Sequence, residues 1–130
     1  MIESGAYNYI NVLGKAADAS WTRNTLISNN IANVDTPNYK RKDLEFEDYL
    51  QEEMAGGDSL DEEVANADLD TLNGTTYVDH ATSSYRLDGN NVDIDTENTY
   101  LAENQLKYYT VLNSISQEFS RLNMVVKSNV

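Results

Sequence analysis

Two stretches, one at each end of the chain, space their inward-type residues at alternating steps of three and four. In the first, Ile10, Leu13, Ala17, Ser20, Asn24, Ile27, Ile31 and Val34 form such a row. This is the heptad spacing that keeps one helix face against a partner. The row is apolar at both ends and small or polar in the middle. Small residues let another helix approach closely, and the polar ones weaken the seam but fix its register. In the second stretch, Leu101, Gln105, Tyr108, Leu112, Ile115, Phe119, Leu122 and Val126 keep the same steps without a break. The pattern predicts one helix over the first thirty-odd residues and another over about 96–127. Asp95 is the expected N-cap of the second, Glu97 lies in its first turn, and Lys127 sits near its negative end.

The first helix runs into Ser28-Asn29-Asn30-Ile31-Ala32-Asn33-Val34-Asp35-Thr36-Pro37-Asn38-Tyr39-Lys40, which contains the only proline. Pro37 disfavours helix at Thr36, so the helix should stop there. Asn33 or Asn38 can take the left-handed conformation that closes such an end. Asn29, Asn30 and Asn33 share one helix face beside Ile27, Ile31 and Val34. That strip of amides reads as a docking surface, or, more plainly, as a helix cap.

Between the helices the pattern is short-ranged. Leu44 and Phe46 alternate with Glu45 and Glu47, which suits a short extended segment, whereas Phe46, Tyr49 and Leu50 suit the start of a short helix. Thr75–Val78 is β-prone, Ser84–Leu87 could be a second strand, and Asp88-Gly89 with Asn90-Asn91 marks a turn. Val92 and Ile94, alternating with Asp93 and Asp95, predict extended chain into the last helix. The expected fold class is mainly α: two long terminal heptad helices in an antiparallel hairpin, around a short, partly β and partly irregular acidic middle. The parts are 1–35, 36–95 and 96–130, in one structural domain. A two-helix unit has one seam to bury, a marginal core for its length. The chain therefore reads as a subunit of an assembly, with flanking positions such as Tyr109, Val111 and Val125 free for neighbours.

Charge changes the picture of the middle. Asp43 to Asp70 carries 12 acidic side chains and no Lys or Arg, directly after the cluster Lys40-Arg41-Lys42. Gln51 to Asn73, which holds Gly56-Gly57 and most of these acids, predicts a loop or a disordered insert. A net charge of −13 disfavours nucleic acid and anionic lipid as partners. The chain has no apolar run long enough to span a membrane and no visible cleaved signal. It has no cysteine, which excludes disulfides and thiol chemistry.

Candidate chemistry is sparse. Asp88, Asn90, Asp93 and Asp95 offer oxygens to a hard cation, so a small acidic calcium-binding module is an alternative reading. However, their spacing does not match a calcium loop of the EF-hand type. A small acidic enzyme using His80, the only histidine, is a third. No phosphate-binding loop or dinucleotide fingerprint is present, and no cofactor is implied.

Two motifs carry a resemblance. Ser28-Asn29-Asn30-Ile31-Ala32-Asn33 followed by Thr36-Pro37-Asn38-Tyr39-Lys40 resembles the N-terminal signature of flagellar axial proteins, the rod, hook and hook-associated proteins. Arg86-Leu87-Asp88-Gly89-Asn90-Asn91-Val92-Asp93-Ile94-Asp95, then Leu101-Ala102-Glu103-Asn104-Gln105-Leu106-Lys107-Tyr108, resembles the proximal rod proteins in particular. Asn38 stands where that family usually has glycine; Asn tolerates the left-handed conformation, so the turn should survive. The acidic block has no identified counterpart.

The resemblance implies a non-enzymatic structural subunit of the bacterial basal-body rod, a drive shaft in motility. It would be exported unfolded by the flagellar type III apparatus, without signal cleavage. Implied partners are other rod proteins, homologous or identical subunits, and the basal-body ring and export apparatus. Ile27, Ile31, Val34, Leu112, Ile115, Phe119 and Leu122 are the expected packing residues. Asn29, Asn30, Asn33, Thr36, Pro37, Tyr39, Asp88, Gly89, Asn90, Asn91, Asp93 and Asp95 are the expected motif contacts and turns. Leu44 and Phe46 mark the implied export-gate segment.

Overall fold

A computed structural model describes residues 2–80 and 86–128. Helix α1 spans Ile2–Ala32 and helix α4 spans Ile94–Ser128. They lie antiparallel: the end of α1 meets the start of α4 at Asn30 and Glu97, and Ser20 meets Asn104 further along. Trp21 and Tyr108 face each other across the seam with ring centroids 5.8 Å apart. At about 1.5 Å per residue the hairpin is roughly 50 Å long.

The α1 seam is as its heptads predict. Ala17, Ser20 and Ile27 are buried, with Ile10, Leu13, Asn24, Ile31 and Val34 half-buried around them. The α4 seam is rotated from the expected row. Leu101, Tyr108, Ile115 and Leu122 face inward, but their inward companions are Glu97, Asn104, Val111, Glu118 and Val125. Gln105, Leu112, Phe119 and Val126 lie outside; Leu112 is 37% and Phe119 48% exposed. Of the flanking positions expected to be free, Tyr109 is exposed while Val111 and Val125 are half-buried in the seam. Apolar side chains border the Leu101–Leu122 row on both sides, so apolar content alone does not set the rotation. Glu97 and Asn104 set it, because each finds its partners only on the inside.

The acidic middle is ordered, contrary to the loop or disordered insert expected. Strand β1 (Lys42–Glu45) leads into helix α2 (Glu47–Glu53), then helix α3 (Leu60–Asn66) and strand β2 (Thr75–Val78). The two readings of the Leu44–Leu50 region are thus realised in succession, strand then helix. Ser59 caps α3 by accepting from the Glu62 N–H at 3.3 Å, and Asp61, Glu62 and Glu63 occupy its first turn, where the helix dipole favours them. Leu44, Phe46, Val64 and Leu72 are buried against Val12 and Ala19 on a second face of α1, with Leu50, Met54 and Leu69 packed around them. Widely spaced apolar residues therefore suffice to fold the block, while most of its acids point to solvent.

β1 pairs antiparallel with β2, from Lys42 opposite Val78 to Glu45 opposite Thr75. The partner of Thr75–Val78 is therefore β1; the first half of the strand expected at 84–87, residues 84 and 85, lies outside the described residues. The expected extended run at Val92–Asp95 ends early, because α4 begins at Ile94. Asp93, not Asp95, is its cap: the Asp93 carboxylate accepts from the Asp95 N–H at 3.0 Å and the Thr96 N–H at 3.2 Å.

Candidate functional site

The two motifs meet at the exit of α1. The helix ends at Ala32, and the Asn33 N–H still reaches back to the Asn29 carbonyl at 3.1 Å. The chain then turns, Pro37 follows, and Asn38 takes the left-handed conformation at φ 60°. Asn38 is the only described non-glycine residue with positive φ, so of the two asparagines expected to be able to close this end it is Asn38, not Asn33.

Asn90 closes the helix from the far side of the sequence. Its side-chain amide donates to the carbonyls of Asn33 (2.8 Å), Val34 (3.0 Å) and Thr36 (2.9 Å), and its carbonyl oxygen accepts from the Val92 N–H at 2.7 Å. These carbonyls belong to the turn that follows the helix, so the buried amide pins the chain where it leaves α1. Arg86 adds a hydrogen bond to the Val34 carbonyl at 2.6 Å. The Asn38 N–H donates to the Asp88 carbonyl at 2.7 Å, and the Lys40 ammonium donates to the Gly89 carbonyl. Gly89 has φ 76°, a left-handed conformation that favours glycine, while a Cβ there would meet closely only the Asn38 side-chain oxygen, which can turn aside. Asn91 accepts from the Arg41 N–H at 2.7 Å and donates to the Asp79 carbonyl at 2.7 Å.

Behind this turn lies a buried polar core. Asn30 is 0% exposed and pairs with the Lys42 backbone as a strand neighbour would, donating to its carbonyl and accepting from its N–H, both at 2.9 Å. Asn30 also accepts from the Tyr39 hydroxyl at 3.1 Å and donates to Glu97 at 3.2 Å. Glu97, 1% exposed, takes its second contact from the Arg41 guanidinium at 2.5 Å. Arg41 continues to Asp79 at 2.8 Å and lies over the Tyr100 ring, 5.3 Å from its centroid. Burial alone would lower the Arg41 pKa, but hydrogen bonds to Glu97 and Asp79 outweigh it and hold the guanidinium above its ordinary value. Burial, then the Glu97 charge, raises the Tyr39 hydroxyl.

The structure thus brings together Asn30, Asn33, Thr36, Tyr39, Asp88, Gly89, Asn90, Asn91 and Asp93. It leaves Asn29, Pro37 and Asp95 exposed. The amide strip is therefore split, with Asn30 spent inside the protomer and Asn29 outside. Arg41, Asp79, Arg86 and Glu97 were not among the sequence candidates. The readable signal for Glu97 was its place four residues before Leu101 on the inward row, and for Arg41 its position opening the acidic block.

Among the described residues, this geometry ties chain segments together. The Asp88 carboxylate accepts from the Asn90 N–H (3.1 Å) and from Arg86 (3.0 Å), the Asn90 side-chain oxygen from the Val92 N–H, and the Asp93 carboxylate from the Asp95 and Thr96 N–H groups, so three of the four residues of the calcium reading already hold the turn together. No group of three or more His, Cys, Asp or Glu among the described residues could hold a metal ion. His80 is exposed at the end of β2. No helix of the described residues is long and apolar enough to cross a membrane.

Comparison with known proteins agrees with this placement of the motifs. Residues 10–40 match the family "Flagella basal body rod protein". The chain is 37% identical over 102 residues to the flagellar basal body rod protein FlgB of Bacillus subtilis (strain 168), covering 78% of this chain and 79% of that one. It is 32% identical over 133 residues to FlgB of Borreliella burgdorferi, covering 94% and 93%. It is 32% identical over 119 residues to FlgB of Escherichia coli (strain K12), covering 82% and 83%. With identity of 32–37% over 78–94% of its length, the chain belongs to the family of the flagellar basal body rod protein FlgB.

Proposed function

We propose that the chain is a structural subunit of the bacterial flagellar basal-body rod, polymerising through its terminal helices into a shaft that carries torque. One observation carries the mechanism: α4 turns an apolar row outward. Leu112, Phe119 and Val126, seven residues apart on one face, are exposed along a helix whose polar residues Glu97 and Asn104 are buried. In a lone monomer that rotation leaves the row without cover, whereas a neighbouring subunit buries it and stabilises the assembly. Ile27, Ile31, Val34, Ile115 and Leu122 then hold the hairpin itself, while Leu112 and Phe119 pack between subunits. Close-packed seams resist deformation, which is what torque transmission requires. Parts 1–35, 36–95 and 96–130 act as one unit, because the clamp joins all three.

The protein is not an enzyme in this reading. Its partners are other rod components and identical or homologous subunits, with the ring and export apparatus at the base, and its place is the basal body. Leu44 and Phe46, the export-gate segment implied by the family resemblance, are each 4% exposed. A gate could therefore read them only in the unfolded chain, which supports export before folding.

The double substitution Leu112→Asp with Phe119→Asp, placed in a motile host in exchange for the host's own copy, tests the function. Helix content of the purified variant should match the parent, because both positions face solvent, while swimming and rod assembly should be lost. Full motility with both aspartates in place overturns the assembly mechanism.

A further inference from the structure

The segment that joins α3 to β2 carries a labile pair of residues that packing imposes on it. Asn73, which is exposed, is the only asparagine of the chain followed by glycine. Glycine has no side chain to shield its backbone nitrogen. The Gly74 nitrogen can lose its proton and attack the Asn73 side-chain carbonyl carbon. The new C–N bond closes a cyclic imide, the bond to Nδ2 breaks, and ammonia leaves with the proton. Water then opens the ring at either carbonyl. The products are aspartate and the β-linked isoaspartate, whose main chain is one carbon longer. Replacing the glycine is costly. A Cβ at Gly74 would lie 2.7–2.9 Å from three side-chain carbons of Leu44, its branch point included, and Leu44 is 4% exposed in the core. Leu44 has no room to turn aside without opening the packing around it.

We infer that Asn73 is a deamidation site that the fold holds closed, with Lys15 on α1 as part of the latch. Cyclisation needs the Asn73 side chain to swing forward over the Gly74 nitrogen. Instead it is drawn back: Nδ2 donates to the Asp70 carbonyl at 2.9 Å, and the side-chain oxygen accepts from the Lys15 ammonium at 2.8 Å. The backbone on either side is fixed as well, because Leu72 is 1% exposed and β2 begins at Thr75. Upstream, the Glu53 carboxylate accepts from the Asp68 N–H and the Thr71 hydroxyl, both at 2.9 Å, which holds the turn leading to Asn73. Reaction therefore waits on local opening of this segment. The unfolded chain has none of these restraints, so a chain that waits unfolded ages at Asn73 while a folded one is spared. Damage there reaches the fold, since the isoaspartyl link adds a main-chain atom directly ahead of β2 and shifts Gly74 against Leu44. The inference does not rest on the rod reading; under that reading, the subunits at risk are those kept unfolded for export.

The purified chain is incubated at mildly alkaline pH, once native and once unfolded in guanidinium chloride. Residue 73 is followed by peptide mass spectrometry, with aspartyl and isoaspartyl peptides separated against synthetic standards. Deamidation should be at least about tenfold slower in the native sample, because it requires local opening. Lys15→Met keeps the stem and removes the ammonium. It should speed the native reaction by roughly two- to tenfold, the factor for one hydrogen bond, and leave the unfolded rate unchanged. Lys15→Arg, which restores a charged donor, should return the native rate toward that of the parent; a general loss of stability in Lys15→Met would not predict this rescue. Equal native and unfolded rates, or a native rate unmoved in Lys15→Met, overturns the latch. Gly74→Ala should suppress the modification yet lower the midpoint of chemical unfolding. An alanine variant as stable as the parent overturns the claim that Leu44 imposes the glycine.

Discussion

Glu97 and Arg41 show at the scale of single residues why the clamp is specific rather than merely stable. Both are buried, and each charge is satisfied by groups from different segments: Asn30 on α1, Arg41 ahead of β1, Asp79 after β2 and Glu97 on α4. A pair removed from water recovers its desolvation cost only when every partner is in place. Glu97→Leu leaves the Arg41 guanidinium buried with Asp79 and two contacts to Asp43 at 3.4 Å. Its expected cost is about 3–5 kcal/mol in a urea unfolding experiment. Arg41→Met combined with Glu97→Leu should recover much of that loss, because the two most deeply buried charges go together, while the more exposed Asp79 and Asp43 lose their Arg41 contact. A double variant that is as unstable as the sum of the two single ones shows that the two side chains are not coupled. Asn90 has the same character without charge, since its one buried amide joins the carbonyls of Asn33, Val34 and Thr36 from the far side of the sequence.

At the scale of elements, the joint between α1, α2 and α4 depends on Glu47. Its carboxylate receives a two-pronged contact from Arg23 on α1, at 2.6 and 2.7 Å, and a third from Lys107 on α4 at 3.1 Å. The Arg23 hydrogen bonds lower its pKa from 4.5 to about 2, against the opposing effect of burial. A carboxyl with a depressed folded-state pKa stabilises the fold above its unfolded value, and that contribution fades as pH falls through the folded one. The window is therefore from about 4.5 down to about 2. Half of the side chain is exposed, so solvent screening keeps the effect small. Chemical unfolding midpoints measured across this window should fall less steeply for Glu47→Gln than for the parent; parallel curves remove Glu47 from the acid response.

The joint also shows what a sequence can and cannot display. Both long helices and the β-prone Thr75–Val78 are local patterns and were legible. The rotation of α4 was not, because Leu112 and Phe119 look as core-like as Leu101, and only the inward partners of Glu97 and Asn104 decide between them. The acidic cover was hidden because its apolar residues, such as Val64 and Leu72, are too sparse to form a periodic pattern. The site was visible as two motifs but not as one object. Nothing local says that Asn90 caps a helix ending 58 residues earlier, or which of 22 acids Arg41 meets.

Over the whole molecule, order is concentrated at one end. The clamp closes the hairpin where α1 ends and α4 begins, and the acidic cover packs along α1 from Tyr9 to Leu26. α4 has only two buried residues, Glu97 and Asn104, both in its first third. Beyond Tyr108 its described residues are exposed or at most half-buried, and its outer apolar row has no cover. Local opening free energies follow such differences in burial, approaching zero where few contacts hold an element and reaching the global value at the best-packed region. Amide exchange in the isolated chain, at a concentration where sedimentation shows a monomer, should therefore grade along α4. Protection should be strongest near Glu97–Asn104 and should decay toward Ser128. Assembly should abolish the gradient, because a neighbour covering Leu112, Phe119 and Val126 supplies the contacts the distal helix lacks. Uniform strong protection through the last turns of α4 in a proven monomer would mean that the hairpin alone stabilises the helix, and that burial of the outward row is not what orders it.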